Sequence, residues 1–349
     1  MIKNASEKRN DAVCIFPFGK LNDGTEVRAY RLCAPSGASV TVLEYGATLQ
    51  AFEVPDKNGR LTDIVLGYDT AAEYEAGNAC MGATVGRVAG RIEGAAFTLQ
   101  GQRFELAKNE GQNHLHGGIQ SFDRQMWQVR PDGNSLVCTR RSPDGEEGYP
   151  GNLDLQVIYT LEENALQIRY EADTDRDTPL SLTNHSYWNL NGGGSVLRHY
   201  LRISAEKICE LRGDLIPTGC LRSISGTPFD FRLEKEVGAE IDAADGQLQL
   251  ASGYDHNYAL EGNPAAVLYS AQSGIELTVC SDQPGLQLYT ANFLETQNGK
   301  HGKSMGRRSA VCLETQQFPN AVNCPAFPSA ILKAGMHYSS STTYAFRIR

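Results

Sequence analysis

Short stretches in which apolar and polar residues alternate with a period of two recur along most of this chain. Residues 39–45 (Ser-Val-Thr-Val-Leu-Glu-Tyr), 153–159 (Leu-Asp-Leu-Gln-Val-Ile-Tyr), 165–170 and 274–280 all follow the pattern, which is the signature of strands with one buried face. Turn-forming clusters separate them: Asn22-Asp23-Gly24, Asp132-Gly133-Asn134 and Ser142-Pro143-Asp144-Gly145. No segment sustains helical periodicity beyond a few turns, and residues 233–241 are the best short candidate. Many short strands without βαβ alternation predict an all-β fold, a large β-sandwich or barrel with few short helices. No repeat, low-complexity tract or Pro/Ser-rich linker interrupts the 349 residues. One β-domain over 1–349 is therefore expected.

The most distinctive segment is residues 183–190, Thr-Asn-His-Ser-Tyr-Trp-Asn-Leu, entered through Pro179-Leu180-Ser181-Leu182 and left through Gly192-Gly193-Gly194. Read as one strand, it puts Leu180, Leu182, Trp188 and Leu190 on one side. Ser181, Thr183, His185, Tyr187 and Asn189 share the other. A face of hydroxyls, amide and imidazole suits a concave pocket for hydroxyl-rich ligands, and equally a hydrogen-bonded structural histidine. A second cluster, Asn113-His114-Leu115-His116-Gly117-Gly118, has H-x-H spacing that on a strand turns both imidazoles to one face. No third ligand follows at a matching spacing, so a metal site is not expected. His116, directly before two glycines, is the better ligand-binding candidate, because glycine permits close backbone approach.

A third cluster, residues 310–319, places Val311 and Leu313 on one strand face and Cys312, Glu314 and Gln316 on the other. A carboxylate in an apolar strand is costly unless it is paired or opens on a pocket, and burial raises its pKa toward a range useful to a base. Asp255, His256 and Asn257 lie between tyrosines. Gln287 and Tyr289 share one face of residues 285–290. In Gly86-Arg87-Val88-Ala89-Gly90-Arg91-Ile92, arginines beside glycines suit either ligand oxygens or a structural bridge. Gly302-Lys303-Ser304-Met305-Gly306 fits the G-x-S-x-G nucleophile pattern, but it follows a polar loop and precedes two arginines rather than sitting between strand and helix.

A net charge of −9 and a pI near 5.4 argue against nucleic-acid or anionic-membrane partners. No apolar run approaches a membrane span, and the N-terminal residues carry no signal-peptide core. Nine scattered cysteines without a CxxC pair are read as reduced thiols in a cytoplasmic protein.

Seven motifs together resemble the aldose 1-epimerase (galactose mutarotase) family: GRVAGRI (86–92), NHLHGG (113–118), SPDGEEGYPGNL (142–153), LTNHSYWNL (182–190), GYDHNY (253–258), GLQLYT (285–290) and LETQQFPNAVN (313–323). They occur in the family's order and span nearly the whole chain. The resemblance implies a galactose-mutarotase-like β-sandwich and interconversion of the α and β anomers of free aldohexoses, without cofactor or metal. By motif position it makes Glu314 the general base and His185 the general acid, with His116, Arg91, Asp255, Gln287 and Tyr187 around the sugar. The family usually has asparagine at position 90, where this chain has Gly90, so an amide contact to a sugar hydroxyl is missing.

Mutarotation needs one group to take the anomeric proton while another protonates the ring oxygen, and both must work near neutrality. A non-catalytic sugar-binding protein has no need of such a pair. An epimerase of hexose 6-phosphates needs further cations in the site to neutralise phosphate, and the motifs supply only Arg87 and Arg91.

Overall fold

The structure is a computed structural model and describes residues 13–349. It is all-β. Its largest sheet has nine strands in the order Gln128–Asp132, Ser135–Ser142, Leu153–Leu161, Ala165–Thr174, His337–Ile348, Ile275–Ser281, Ala266–Tyr269, Tyr200–Ile203, Lys235–Glu236. A six-stranded sheet runs Tyr187–Trp188, Val311–Gln316, Gly285–Tyr289, Asp255–Leu260, Ala205–Leu211, Pro217–Ser223. A five-stranded sheet holds the consecutive strands from Cys14–Lys20 to Leu61–Asp63. Every pairing within these three sheets is antiparallel.

The alternation forecast from the sequence is what packs these sheets. Leu153, Leu155 and Val157 are buried while Asp154 and Gln156 are exposed. The next strand, Ala165–Thr174, repeats the pattern with Leu166, Ile168 and Tyr170 inward. Across the core, Trp188 packs on Tyr344 with ring centroids 4.7 Å apart, and the Tyr344 hydroxyl donates to the Leu313 carbonyl at 3.3 Å. Side chains of all three sheets contribute to one hydrophobic cluster, from Tyr30 and Phe52 to Leu288, Leu313 and Phe346. Non-directional burial of apolar area on this scale is the dominant stabilising term.

α-Helix is confined to Ala71–Ala76 and Gly246–Leu250 among the described residues. The first is closed by a capping box between Thr70 and Glu73. Residues 233–241, expected to be the best helix candidate, are instead extended and turned. Lys235–Glu236 pairs with Tyr200 and Leu201, and the Val237 and Gly238 amides donate to the His199 and Leu197 carbonyls, both at 2.8 Å. Buried Val237 and Ile241 are four residues apart and imitate a helical stripe, but Leu233, its third member, is 83% exposed. No described helix is long and apolar enough to cross a membrane.

Candidate active site

The outer face of the six-stranded sheet forms the wall of a cleft of about 520 Å³. Register sets which side chains meet there. Tyr187, Cys312, Tyr289 and Asp255 stand opposite one another on four adjacent strands. Two residues along, Glu314, Gln287 and Asn257 form a second row. Directly opposed residues have Cβ atoms about 4.5–5.5 Å apart, so each row is a line of neighbouring side chains on the cleft face. Alternate residues point into the core: Val311, Leu313, Leu286, Leu288 and Tyr258.

Three further segments close the cleft. His185 lies between two short strands, because residues 183–190 are not one strand. Thr183–Asn184 pairs with Thr84–Val85, whereas Tyr187–Trp188 pairs with Val311 and Cys312. The chain changes partner at His185 and Ser186, so the imidazole stands over the junction. Its ring stacks on Tyr187 at 5.0 Å, and Nε2 is 3.7 Å from Glu314 Oε1. Leu180, Leu182, Trp188 and Leu190 enter the core as the alternation implied.

The H-x-H expectation fails on backbone geometry. His116 has φ +52°, a left-handed conformation that breaks strand alternation. The two imidazoles therefore part. His114 is bound between the Ala107 carbonyl (2.7 Å) and the Tyr149 hydroxyl (2.8 Å), a structural role. His116 faces the cleft, its ring 5.4 Å from that of His185. Its Nδ1 accepts the Gly90 amide hydrogen at 3.2 Å, which leaves the proton on Nε2 as a donor. Gly117 makes this approach possible: a Cβ there would lie 1.8 Å from the Gly86 carbonyl oxygen.

The two arginines of residues 86–92 also part. Arg91 reaches the cleft, held by Glu110 through two hydrogen bonds of 2.6 and 2.7 Å, with Nη1 4.0 Å from Asp255. Asp255 in turn accepts from Gln287 Nε2 at 2.7 Å. Arg87 points away from the cleft and is buried. Its guanidinium donates to Ser142 Oγ, Thr178 Oγ1 and the carbonyls of Ser142, Pro143, Pro150 and Gly151 at 2.8–3.2 Å, and it lies over the Tyr149 ring. Arg91 is thus the one Arg or Lys lining the cleft among the described residues, against carboxyls from Glu110, Asp255, Glu295 and Glu314. That balance does not suit a phosphorylated ligand.

Burial governs the protonation of the pair. It pushes the Glu314 carboxyl well above the ordinary range, with the Asp255 charge adding to the effect, and pushes His185 down to about 4. His116 is driven down as well, by burial first and then by His185 and Arg91. The upward tuning of Glu314 matches the sequence expectation. His185, expected to titrate near neutrality, is instead held neutral there.

Several buried polar atoms of the wall have no protein partner among the described residues: Glu314 Oε2, Gln287 Oε1, Asn257 Nδ2 and Gln316 Oε1. Such atoms are costly unless a ligand or water engages them. Asn257 and Glu110 are site residues that the sequence reading did not single out. Asn257 carried a usable signal, since it follows Asp255 by two positions on the same strand. Glu110, in an isolated bridge with Asn113, carried none. At position 90, φ is +75° and a Cβ would lie 3.0 Å from Pro319 Cβ and 3.6 Å from Gln316 Nε2, so a side chain there would press on Pro319 beside the Gln316 amide. Ser304, of the G-x-S-x-G pattern, sits exposed on a two-residue strand after a 3₁₀ turn at Lys300–Gly302, without the required strand and helix.

A model of the aldose 1-epimerase family matches residues 28–345. The chain is similar to galactose mutarotase from Bos taurus, 43% identical over 316 residues that cover 88% of this chain and 91% of the relative. It is 34% identical over 334 residues to aldose 1-epimerase from Escherichia coli K12, covering 93% and 96% of the two chains. The crystal structure of the GalM/aldose epimerase homologue from C. elegans superposes with a TM-score of 0.85 at 34% identity, covering 91% of this chain and 98% of the other. Sequence match and likeness of fold both extend over most of the length: the chain belongs to the aldose 1-epimerase family.

Proposed function

We propose that the cleft interconverts the α and β anomers of free aldohexoses such as glucose and galactose, with Glu314 and His185 as the proton-transfer pair. The observation that carries this reading is the pair itself: a buried carboxyl with one unpartnered oxygen, 3.7 Å from a buried imidazole, on the wall of a polar cleft. Glu314 takes the anomeric proton while His185 protonates the ring oxygen. The ring opens, the bond between the first two carbons rotates, and the reverse transfers close the other carbonyl face. Each positioned group is worth about 10²–10⁴ in rate, so the two represent roughly 5–11 kcal/mol of barrier if independent. His116, Arg91, Asp255, Gln287 and Tyr187 hold the remaining hydroxyls, with Glu110 fixing the Arg91 fork.

A second assignment has a specific observation in its favour. Burial favours a protonated Glu314 and a neutral His185, which suits Glu314 as donor to the ring oxygen and His185 as acceptor of the anomeric proton. Both assignments use one proton shared by two groups, so their pH profiles are equivalent. Nitrogen NMR of His185 in a sugar complex separates them.

The three sheets share one hydrophobic cluster, which supports reading 1–349 as one domain. The free thiols from Cys33 to Cys324 support a reducing, cytoplasmic setting. The test of function is polarimetry on freshly dissolved α-glucose and α-galactose. Acceleration well beyond the spontaneous rate is expected, and a rate equal to that of the buffer rejects the reading.

A further inference from the structure

Cys312 is a nucleophilic residue of the catalytic wall to which mutarotation gives no role. It is fully buried on the same strand face as Glu314, two positions away, between Tyr187 and Tyr289 in register. Its thiol, one nitrogen of His185 and one carboxyl oxygen of Glu314 all lie within 4.8 Å of one another, and all three residues are buried. Glu314 Oε2 has no protein partner, and neither does His185 Nδ1. Sulfur, imidazole nitrogen and carboxylate oxygen are the three donor types of zinc chemistry. Metal–ligand lengths of about 2.0–2.3 Å place tetrahedral donors roughly 3.3–3.8 Å apart. The 3.7 Å between His185 and Glu314 already meets that spacing, and the thiol comes within it after a shift on the order of 1 Å.

We propose that His185, Cys312 and Glu314 form a three-donor site for a thiophilic divalent cation, zinc(II) or its surrogate cadmium(II), whose binding silences the catalytic pair. Coordination displaces the thiol proton, and the Glu314 proton where one is present, to solvent. It also takes up the lone pairs on which proton transfer depends. The fourth tetrahedral position faces the cleft and is left to water. The cation is an inhibitor here, because the groups that hold it are those the reaction needs free. Its two cleft-lining ligands, His185 and Glu314, give it a route in from solvent.

The test uses the full chain, a non-chelating phosphine reductant and Cd²⁺ alone. The wild type is expected to bind one Cd²⁺ with a thiolate charge-transfer band in the ultraviolet and to lose mutarotase activity in parallel, recovering it on addition of EDTA. Cys312→Ser should weaken that binding by about 100-fold and remove its band, and its own mutarotation should resist the cation. Glu314→Gln keeps the thiol and supplies a second comparison, with binding weakened at least about tenfold, should Cys312→Ser fail to fold. Exposed Cys33 and Cys220 contribute equally to all three proteins and cancel in the difference. Saturating galactose should displace the cation, an arm that rests on the cleft being the sugar site, whereas the Cys312 comparison does not. Wild-type and Cys312→Ser proteins with the same affinity and the same band overturn the proposal. A protein without mutarotase activity that still binds Cd²⁺ through Cys312 sinks the functional reading and leaves the metal site standing.

Discussion

Arg87 and the cleft wall are both buried and polar, yet they are built to opposite specifications. The Arg87 guanidinium directs hydrogen bonds to six different acceptor atoms, and every nitrogen of it is engaged. On the wall, Glu314, Gln287, Asn257 and Gln316 each keep an unpartnered polar atom. A saturated network rigidifies a fold and does nothing further; an unsaturated one retains the capacity to bind. Arg87 and Arg91 belong to one seven-residue motif, so residue type and motif membership do not decide between these roles. Completeness of hydrogen bonding does.

The strongest way to break this contrast is on the wall. Glu314→Gln keeps shape but removes the proton acceptor, and turnover measured by polarimetry should fall by about 10²–10⁴ or more with little change in sugar affinity. His185→Asn should lose a comparable factor, and the double variant less than the product of the two. Unfolding in urea should barely register Glu314→Gln. Normal turnover in that variant moves the base elsewhere, with Asp255 next in line.

Arg87→Met should do the reverse. It strands the carbonyls of Ser142, Pro150 and Gly151 and should cost about 3–5 kcal/mol in urea unfolding. The folded fraction should keep wild-type kcat and KM. A catalytic defect in well-folded Arg87→Met merges the two regions and refutes the distinction.

The pH profile sharpens the wall's side. The active form holds one proton across the pair, so activity falls on the acid side as His185 protonates near 4. On the alkaline side it falls as Glu314 loses its proton, well above the usual carboxyl range. In the residual activity of Glu314→Gln the alkaline limb should vanish; the acid limb should remain where neutral His185 is the proton acceptor and disappear where protonated His185 is the donor. A general base with an ordinary carboxyl pKa would govern the acid limb, and burial of both groups reverses that order.

Glu110→Gln tests a residue between the two classes. Loss of the charged two-point clamp on Arg91 should raise KM by about tenfold and leave kcat within a few-fold. Equal losses in both would make Glu110 a structural residue like those around Arg87. The smallest effect is expected at Gly90→Asn. Asparagine tolerates the left-handed backbone better than most residues, and its amide should lower KM for some aldose by a few-fold, with Pro319 giving slightly to the new Cβ. An effect on turnover alone would put position 90 in the chemistry.

What could be read from the chain followed the period of two. Glu314, Gln287 and Asp255 stood out because a polar residue interrupts or flanks an alternating apolar run, and alternation survives in those strands. His185 was legible as a polar residue on the right segment, although that segment changes sheets midway. His116 was preferred over His114 because two glycines follow it, but the spacing put both imidazoles on one face; a single positive φ divides them, and no spacing rule records it. Residues 233–241 misled because two buried apolar residues four apart satisfy a helical stripe as well as a turned strand. Glu110 and Arg87 were illegible for one reason: their roles are set by partners distant in sequence, and single-chain patterning holds no information about pairing order.

The two transverse rows on the six-stranded sheet make the enzyme its own folding gauge. Tyr187, Asp255, Gln287 and Glu314 come from four strands spread over more than a hundred positions, and a slip of one residue in any of them swaps a cleft group for a core group. Secondary structure can be fully formed with the rows still out of step. Recovery of catalysis during refolding therefore times the last long-range docking of strands rather than collapse, and a one-residue insertion within Val311–Gln316 ahead of Glu314 reads out as a dead enzyme before it reads out as a missing sheet.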